Sequence, residues 1–177
     1  LHELKAEKRD PETIAILRDK SLSGLRRNKK RELELIKNYV QSLKKVQVNV
    51  YTCNIRMGEP RSFPVSGGNS NALISYLQSI TYDGATQLGA MDLTSIKADE
   101  MLLVTDGLSN YGNEEIRYGK TPVYAIVTAA SANYAYLDFI CSVTGGKMIN
   151  AGPGTDPAVA GNSLKQLPVS LLSWNAD

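Results

Sequence analysis

The chain has 177 residues, 42% of them hydrophobic and 21% charged, with 20 Lys and Arg against 18 Asp and Glu. A chain of this length buries roughly 70% of the surface that its unfolded form exposes, so one soluble domain can stand without disulfide or metal staples. The single histidine, His2, lies in a charged terminal segment; its isolation excludes Ser-His-Asp and Cys-His nucleophiles and His-ligated zinc, and leaves carboxylates, hydroxyls, amides, Lys and Arg to carry any chemistry.

Residues 1–12 are polar, begin with Leu rather than Met, and have no basic start followed by an apolar stretch. They read as a linker in a piece of a longer protein and not as a signal peptide. Thr13-Ile-Ala-Ile-Leu17 predicts a buried strand. Charge is then uneven: residues 18–45 hold ten Lys and Arg against three Asp and Glu, and residues 46–177 hold seven against eleven. The spacing of Leu33, Ile36, Val40 and Leu43 predicts a helix over Asn28 to Lys44, with Lys29, Lys30, Arg31, Lys37 and Lys44 on its other faces. That pattern implies a solvated basic face. Without interleaved aromatics or a known module it makes nucleic acid an unexpected partner.

Val46–Cys53 is the next strand, rich in β-branched residues, and Arg61-Ser-Phe-Pro64 predicts a short edge strand, since Pro is tolerated only at edges and ends. Asn71 to Ile80 fits a helix, with Leu73, Leu77 and Ile80 on one face and Ser70 as its N-cap. Met101-Leu-Leu-Val-Thr105 and Pro122–Val127 are further strands. A helix over Asn133 to Val143 stops at Gly145-Gly146, and Lys147-Met-Ile-Asn150 gives a last short strand. Ala151 to Pro157 reads as a connector, and the apolar Leu164–Trp174 exit as a surface that packs on something else. Cys53 and Cys141 each lie in an apolar stretch and read as core thiols, which leaves the redox compartment open. No run reaches about 18 apolar residues, so no membrane-spanning helix is expected.

Strands alternating with helices imply an α/β fold, a three-layer doubly wound and mostly parallel sheet with helices on both faces and one short antiparallel edge strand. In such sheets ligands bind beyond the carboxyl ends of the strands, near the point where strand order reverses. Asp19-Lys20-Ser21-Leu22-Ser23-Gly24 follows the first strand, placing a carboxylate and two hydroxyls at alternate positions. Asp106-Gly107 follows another strand. Between them the glycine-rich Tyr82-Asp83-Gly84-Ala85-Thr86-Gln87-Leu88-Gly89 adds a hydroxyl. Two carboxylates and three hydroxyls, with no sulfur or imidazole, favour Mg²⁺ or Mn²⁺ over zinc or copper. An Asp-x-Ser-x-Ser match arises by composition in about 0.06 of chains this long, so its position at a strand end carries the argument.

At these residues the chain resembles the von Willebrand factor A-type domain family: Asp-x-Ser-x-Ser, then a Thr in Asp-Gly-x-Thr, then Thr-Asp-Gly after a buried strand, is the order of that family's metal-ion-dependent adhesion site. The resemblance spans about residues 13–150 and includes Val143-Thr-Gly-Gly-Lys-Met-Ile149. Tyr82–Gly89 and Leu103–Gly112 look more narrowly like bacterial proteins that join an inter-alpha-trypsin-inhibitor-type (VIT) domain to a von Willebrand A domain. The resemblance implies a domain over 13–162, a linker over 1–12, and a C-terminal extension over 163–177 leading to further domains. It implies that Ser21, Ser23 and Thr86 bind Mg²⁺ (or Mn²⁺ or Ca²⁺) directly, that Asp19 and Asp106 hold it chiefly through water, and that an Asp or Glu of a protein partner completes the shell. Lys20, Leu22, Tyr82 and Tyr111 would form the rim. A cell-envelope or extracellular place is implied by the resemblance alone.

Lys20 departs from the pattern: turned inward it would repel the cation, turned outward it would attract an acidic partner. Each residue also has a plainer role. Asp19 and Ser21 can cap a helix, Thr86 can be an ordinary loop hydroxyl, and Asp83-Gly84 and Asp106-Gly107 are common turns. Three functions therefore stand side by side. A non-enzymatic, cation-dependent protein-binding module accounts for the whole constellation. A Mg²⁺-dependent phosphoryl-transfer enzyme or hydrolase would use the same sheet edge, but Ser21 stands where an aspartate-nucleophile phosphatase has its second Asp, and no Gly-x4-Gly-Lys-Ser/Thr loop occurs. A scaffold with a vestigial metal site is the third.

Overall fold

The computed structural model describes residues 8–167; the readings made on His2 and on residues 168–177 lie outside them. Six apolar runs form strands: β1 (Thr13–Asp19), β2 (Val46–Cys53), β3 (Arg61–Val65), β4 (Glu100–Val104), β5 (Val123–Val127) and β6 (Met148–Asn150). They make one sheet in the order β3-β2-β1-β4-β5-β6. Every neighbouring pair is parallel except β2 with β3, so Pro64 falls on the antiparallel edge, where its missing N–H costs no ladder bond. The central strands β1, β4 and β5 are buried almost throughout, as a sheet covered on both faces requires.

Alternation along the strands sorts two cores. Ile14, Ile16, Leu102 and Ile126 face one layer of helices, α1 (Lys29–Leu43), α2 (Asn71–Ser79) and α4 (Pro157–Ser163). Ala15, Leu17, Leu103 and Ala125 face the other, made of α3 (Tyr134–Thr144) and the 3-10 turns Leu88–Ala90 and Leu93–Ser95. The fold class is the one the sequence implies. No helix of the described residues is long and apolar enough to cross a membrane.

Four local expectations change. Ser70 stands before α2, but its side chain makes no cap; its backbone (φ −106°, ψ 11°) is not extended as a capping residue's is, and Asn69 accepts from Asn71 N–H instead. The basic face of α1 is solvated, with Lys30, Lys37 and Lys44 exposed and Lys29 and Arg31 half-buried, but Arg18 and Arg27 before the helix are buried, and so is Glu32 on α1. Beyond the connector, α4 is a helix that the sequence reading left out, although Asp156-Pro157 supplies both its N-cap, which accepts from Ala158 N–H at 2.8 Å, and Pro at the first position. Finally, residues 8–12 run against the amino edge of the sheet: Asp99 accepts from the Glu12 and Thr13 N–H groups at 2.8 and 2.9 Å, and Lys8 is ion-paired with Glu100.

Candidate functional site

The strand order reverses between β1 and β4; the loops leaving their carboxyl ends carry Asp19, Ser21, Ser23 and Asp106, and the segment between α2 and β4 brings Thr86 to the same edge. Asp19 ends β1 and is fully buried. Its Oδ1 accepts from Ser21 N–H at 2.9 Å and its Oδ2 from the Thr105 hydroxyl at 2.9 Å. Ser21 occupies the N-cap position of the 3-10 turn Leu22–Arg26, yet its hydroxyl caps nothing. It accepts from Thr86 Oγ1 at 2.5 Å and lies 3.0 Å from Ser23 Oγ. Three hydroxyls from two loops 65 positions apart thus converge in front of the Asp19 carboxylate. Asp106 is buried one residue beyond Thr105, and its Oδ1 accepts from Leu108 N–H at 3.1 Å.

Backbone contacts fix this convergence. Leu22 N–H donates to Gly84 O at 3.0 Å and Asp83 N–H to Lys20 O at 2.9 Å, which staples the Thr86 loop to the β1 loop. Asn110 Oδ1 accepts from Thr86 N–H at 2.8 Å, while Thr86 O accepts from the Asn110 and Tyr111 N–H groups at 3.2 and 3.1 Å. Thr86 is therefore held on both sides and its side chain has one direction to take. Gly24 admits no side chain, because a Cβ there would lie 2.6 Å from the Tyr82 ring. Gly107, at φ +69°, turns the chain sharply after Asp106, and its absent Cβ would press on Leu137 at 2.9 Å.

Behind the hydroxyls lies a charge network that the sequence did not announce. Arg27 Nη2 donates to Asp19 O at 2.7 Å and Nη1 to Val104 O at 3.0 Å, so one guanidinium ties the ends of β1 and β4. Its Nε lies 3.2 Å from Glu32 Oε1, and its Nη1 4.0 Å from Asp19 Oδ2. Arg18 Nη2 donates to Glu32 Oε2 at 3.0 Å, and Arg18 Nε and Nη2 donate to the Tyr82 hydroxyl at 2.9 and 2.7 Å. Thr128 at the end of β5 donates to Glu32 Oε1 at 2.9 Å. Burial alone would lower the Arg27 pKa, but the charges of Glu32 and Asp19 outweigh it and the pKa is raised. Two buried cations thus face two buried carboxylates. The signal that could have found them is Glu32, an acid in the first turn of an otherwise basic helix.

The rim residues divide. Leu22 and Tyr111 are exposed. Tyr82 turns inward onto Arg18, with Lys29 Nζ 4.1 Å above its ring, and so serves the network more than the rim. Lys20 reaches sideways to Asp83 at 3.5 Å, neither into the hydroxyl cluster nor freely outward. Cys53, at the end of β2, is buried, and burial first and the Asp19 charge second push its thiol up to about 12. The described residues contain no group of three or more His, Cys, Asp and Glu side chains placed to hold a metal, so a cation at this edge would depend on the hydroxyls.

No family model and no curated relative matches the sequence. Solved structures do match the fold. An aerotolerance-related membrane protein from Bacteroides fragilis is 15% identical with a TM-score of 0.61, over 86% of this chain and 96% of that one. The conserved hypothetical protein BatB from Bacteroides thetaiotaomicron is 13% identical with a TM-score of 0.60, over 85% and 94%. A von Willebrand factor type A protein from Catenulispora acidiphila is 15% identical with a TM-score of 0.60, over 87% of this chain and 41% of that longer one. At these identities the likeness is one of fold.

Proposed function

We propose that this chain, which has the von Willebrand factor A-type fold, is a divalent-cation-dependent protein-binding module without catalytic activity of its own. The observation that carries the reading is the hydroxyl chain Thr86–Ser21–Ser23, with successive oxygens 2.5 and 3.0 Å apart in front of buried Asp19. Adjacent ligands of an octahedral Mg²⁺ at 2.0–2.1 Å stand about 2.9 Å apart, so the spacing suits three neighbouring positions on one cation. Both Asp19 oxygens already accept protein donors, which suits a carboxylate that supports the cation through water. Asp106 would serve in the same way. Mn²⁺ fits the same oxygens, and Ca²⁺ would need more ligands.

Few direct anionic ligands leave such a cation electrophilic, so it attracts an Asp or Glu from a protein partner. Arg27 strengthens this effect by offsetting part of the Asp19 charge. The loops Tyr82–Gly89 and Leu103–Gly112 support the narrower reading that the domain works beside a VIT-type domain in a longer bacterial protein. Isothermal titration of Mg²⁺ into the wild type and Asp19→Ala tests the cation: saturable heats in the wild type and none in the variant are expected, and equal heats would overturn the reading.

A further inference from the structure

Of the ten exposed large apolar side chains among the described residues, five stand in the three loops that leave the carboxyl ends of β1, β2 and β4: Leu22, Leu25, Ile55, Leu108 and Tyr111, each between 39% and 60% exposed. Of the others, Tyr118 packs edge to face on Phe139 of α3, 6.3 Å between ring centroids, Val143 lies on the same helix, and Val159 and Leu167 stand on α4 and at the end of the described chain. Single exposed apolar residues need no explanation, but a set gathered around a polar recess marks an interaction surface. Four of the five are fixed by backbone bonds in or beside the loops that carry the hydroxyls. Leu22 follows Ser21 directly and its N–H bonds Gly84 O, Leu108 N–H bonds the Asp106 carboxylate, and Tyr111 N–H bonds Thr86 O. Ile55 N–H bonds Asn54 Oδ1, while Asn54 O accepts from Gln87 N–H.

Charge at this edge is two-sided. The β1–α1 side presents Arg26 and Lys30 exposed and Lys20 and Lys29 half-buried, whereas the acids Glu114 and Glu115 are exposed on the β4–β5 side. A bilayer of one charge sign complements only half of such a surface. A protein segment can set an acid against the basic side and apolar side chains against the rim, and bring no further negative charge to the acidic side. We infer that these five side chains form a specificity-determining rim, and that the partner is an extended protein segment whose acidic residue is flanked by apolar side chains. The acid approaches from the basic β1–α1 side to reach the hydroxyl recess, and its apolar neighbours cover Leu22 and Leu25 on one flank and Leu108 and Tyr111 on the other. This inference rests on the cation-dependent reading for the role of the acid, and on exposure alone for the role of its neighbours.

The test uses short synthetic peptides with a central Asp, flanked by Leu or by Ser, titrated into the whole chain by fluorescence anisotropy in Mg²⁺ and in EDTA. The Leu-flanked peptide is expected to bind at least about tenfold more tightly, the effect of covering about one apolar side chain. That advantage disappears in the Leu22→Ser/Leu108→Ser variant and persists in Phe139→Ser, whose ring is exposed away from this edge. Equal affinity for the two peptides in Mg²⁺ overturns the apolar rim while leaving the cation reading standing. A Leu preference that survives EDTA and replacement of the central Asp by Asn upholds the rim and overturns the cation reading. Binding by neither peptide overturns the rim, as does cosedimentation with phosphatidylserine/phosphatidylcholine vesicles, or dimerisation in sedimentation velocity, abolished by the double Leu variant.

Discussion

The two edges of the sheet use buried charge in opposite ways. At the amino edge, Glu100 accepts from Lys8 and from the Tyr39 hydroxyl, and the Lys8 ammonium lies 4.2 Å from the Tyr124 ring centroid and 5.3 Å from that of Tyr39. Every group there is spent on its neighbours: burial pushes the Tyr39 phenol up and lowers the Lys8 pKa, although Glu100 opposes the latter. At the carboxyl edge, Arg18, Arg27, Glu32 and Asp19 neutralise one another one layer down, and the hydroxyls of Ser21, Ser23 and Thr86 are left in front of them. A closed cluster makes a clasp. A layered one makes a recess whose front hydroxyls, among the described residues, bond one another and can exchange that contact for a ligand.

The comparison breaks most sharply at Glu32. Glu32→Ala leaves Arg18 and Arg27 buried without their shared counter-charge, and about 3–5 kcal/mol of stability is expected to be lost in urea denaturation. Glu100→Ala is expected to cost less, about 2–3 kcal/mol, because Lys8 stands outside any helix or strand and its long side chain can turn to water; its Mg²⁺ titration should match that of the wild type. Equal losses at the two positions would mean that the carboxyl-edge network is no more deeply committed than the clasp. Next comes the cation itself. Mg²⁺ at ten times its dissociation constant should raise stability by about 1.4 kcal/mol, removed by EDTA, in the wild type and Glu100→Ala but not in Ser21→Ala.

Thr105→Val removes the hydroxyl that donates to Asp19 Oδ2. A loss of about 1–2 kcal/mol is expected, with weaker Mg²⁺ binding, since a buried carboxylate oxygen is left without a donor. The smallest effect concerns Cys53 beside the site and Cys141 in α3, both held up to about 12 by burial. The sign is that of an acid whose folded pKa is raised: the folded thiol keeps its proton after the unfolded thiol has lost it, so stability falls as pH rises above about 8.5, the ordinary thiol value. Alkylation by iodoacetamide at pH 8 should accordingly be slow for the native chain and fast in urea.

Most of the fold was legible because burial leaves a period. Ile14, Ile16, Val48 and Val50 are apolar at the positions a covered sheet requires, and Pro64 could only stand on an edge. The hydroxyl recess was legible because two short motifs fall directly after strands and a third, bearing Thr86, lies in the glycine-rich loop between them. Its supports were not. Thr105 reads as the last residue of a strand, Asn110 and Asn54 as loop polar residues, and Arg27 as one more cation in a basic run; their partners lie 86, 24, 29 and 77 positions away respectively. Ser70 and the Asp156-Pro157 start of α4 show the reverse, where local chemistry was plain and was given to the wrong position or left unused.

The sequence by itself determined the class of chemistry. With a single histidine and no clustered thiols in the sequence, oxygen donors were the ones left to organise, and the alternation of strands and helices put the strand ends on one edge. Only the tertiary structure decided which charges are buried, which face outward, and which hydroxyls meet. Pairing across tens of residues is set by strand register and loop packing, and the cost of burying a charge is felt only once its partner arrives.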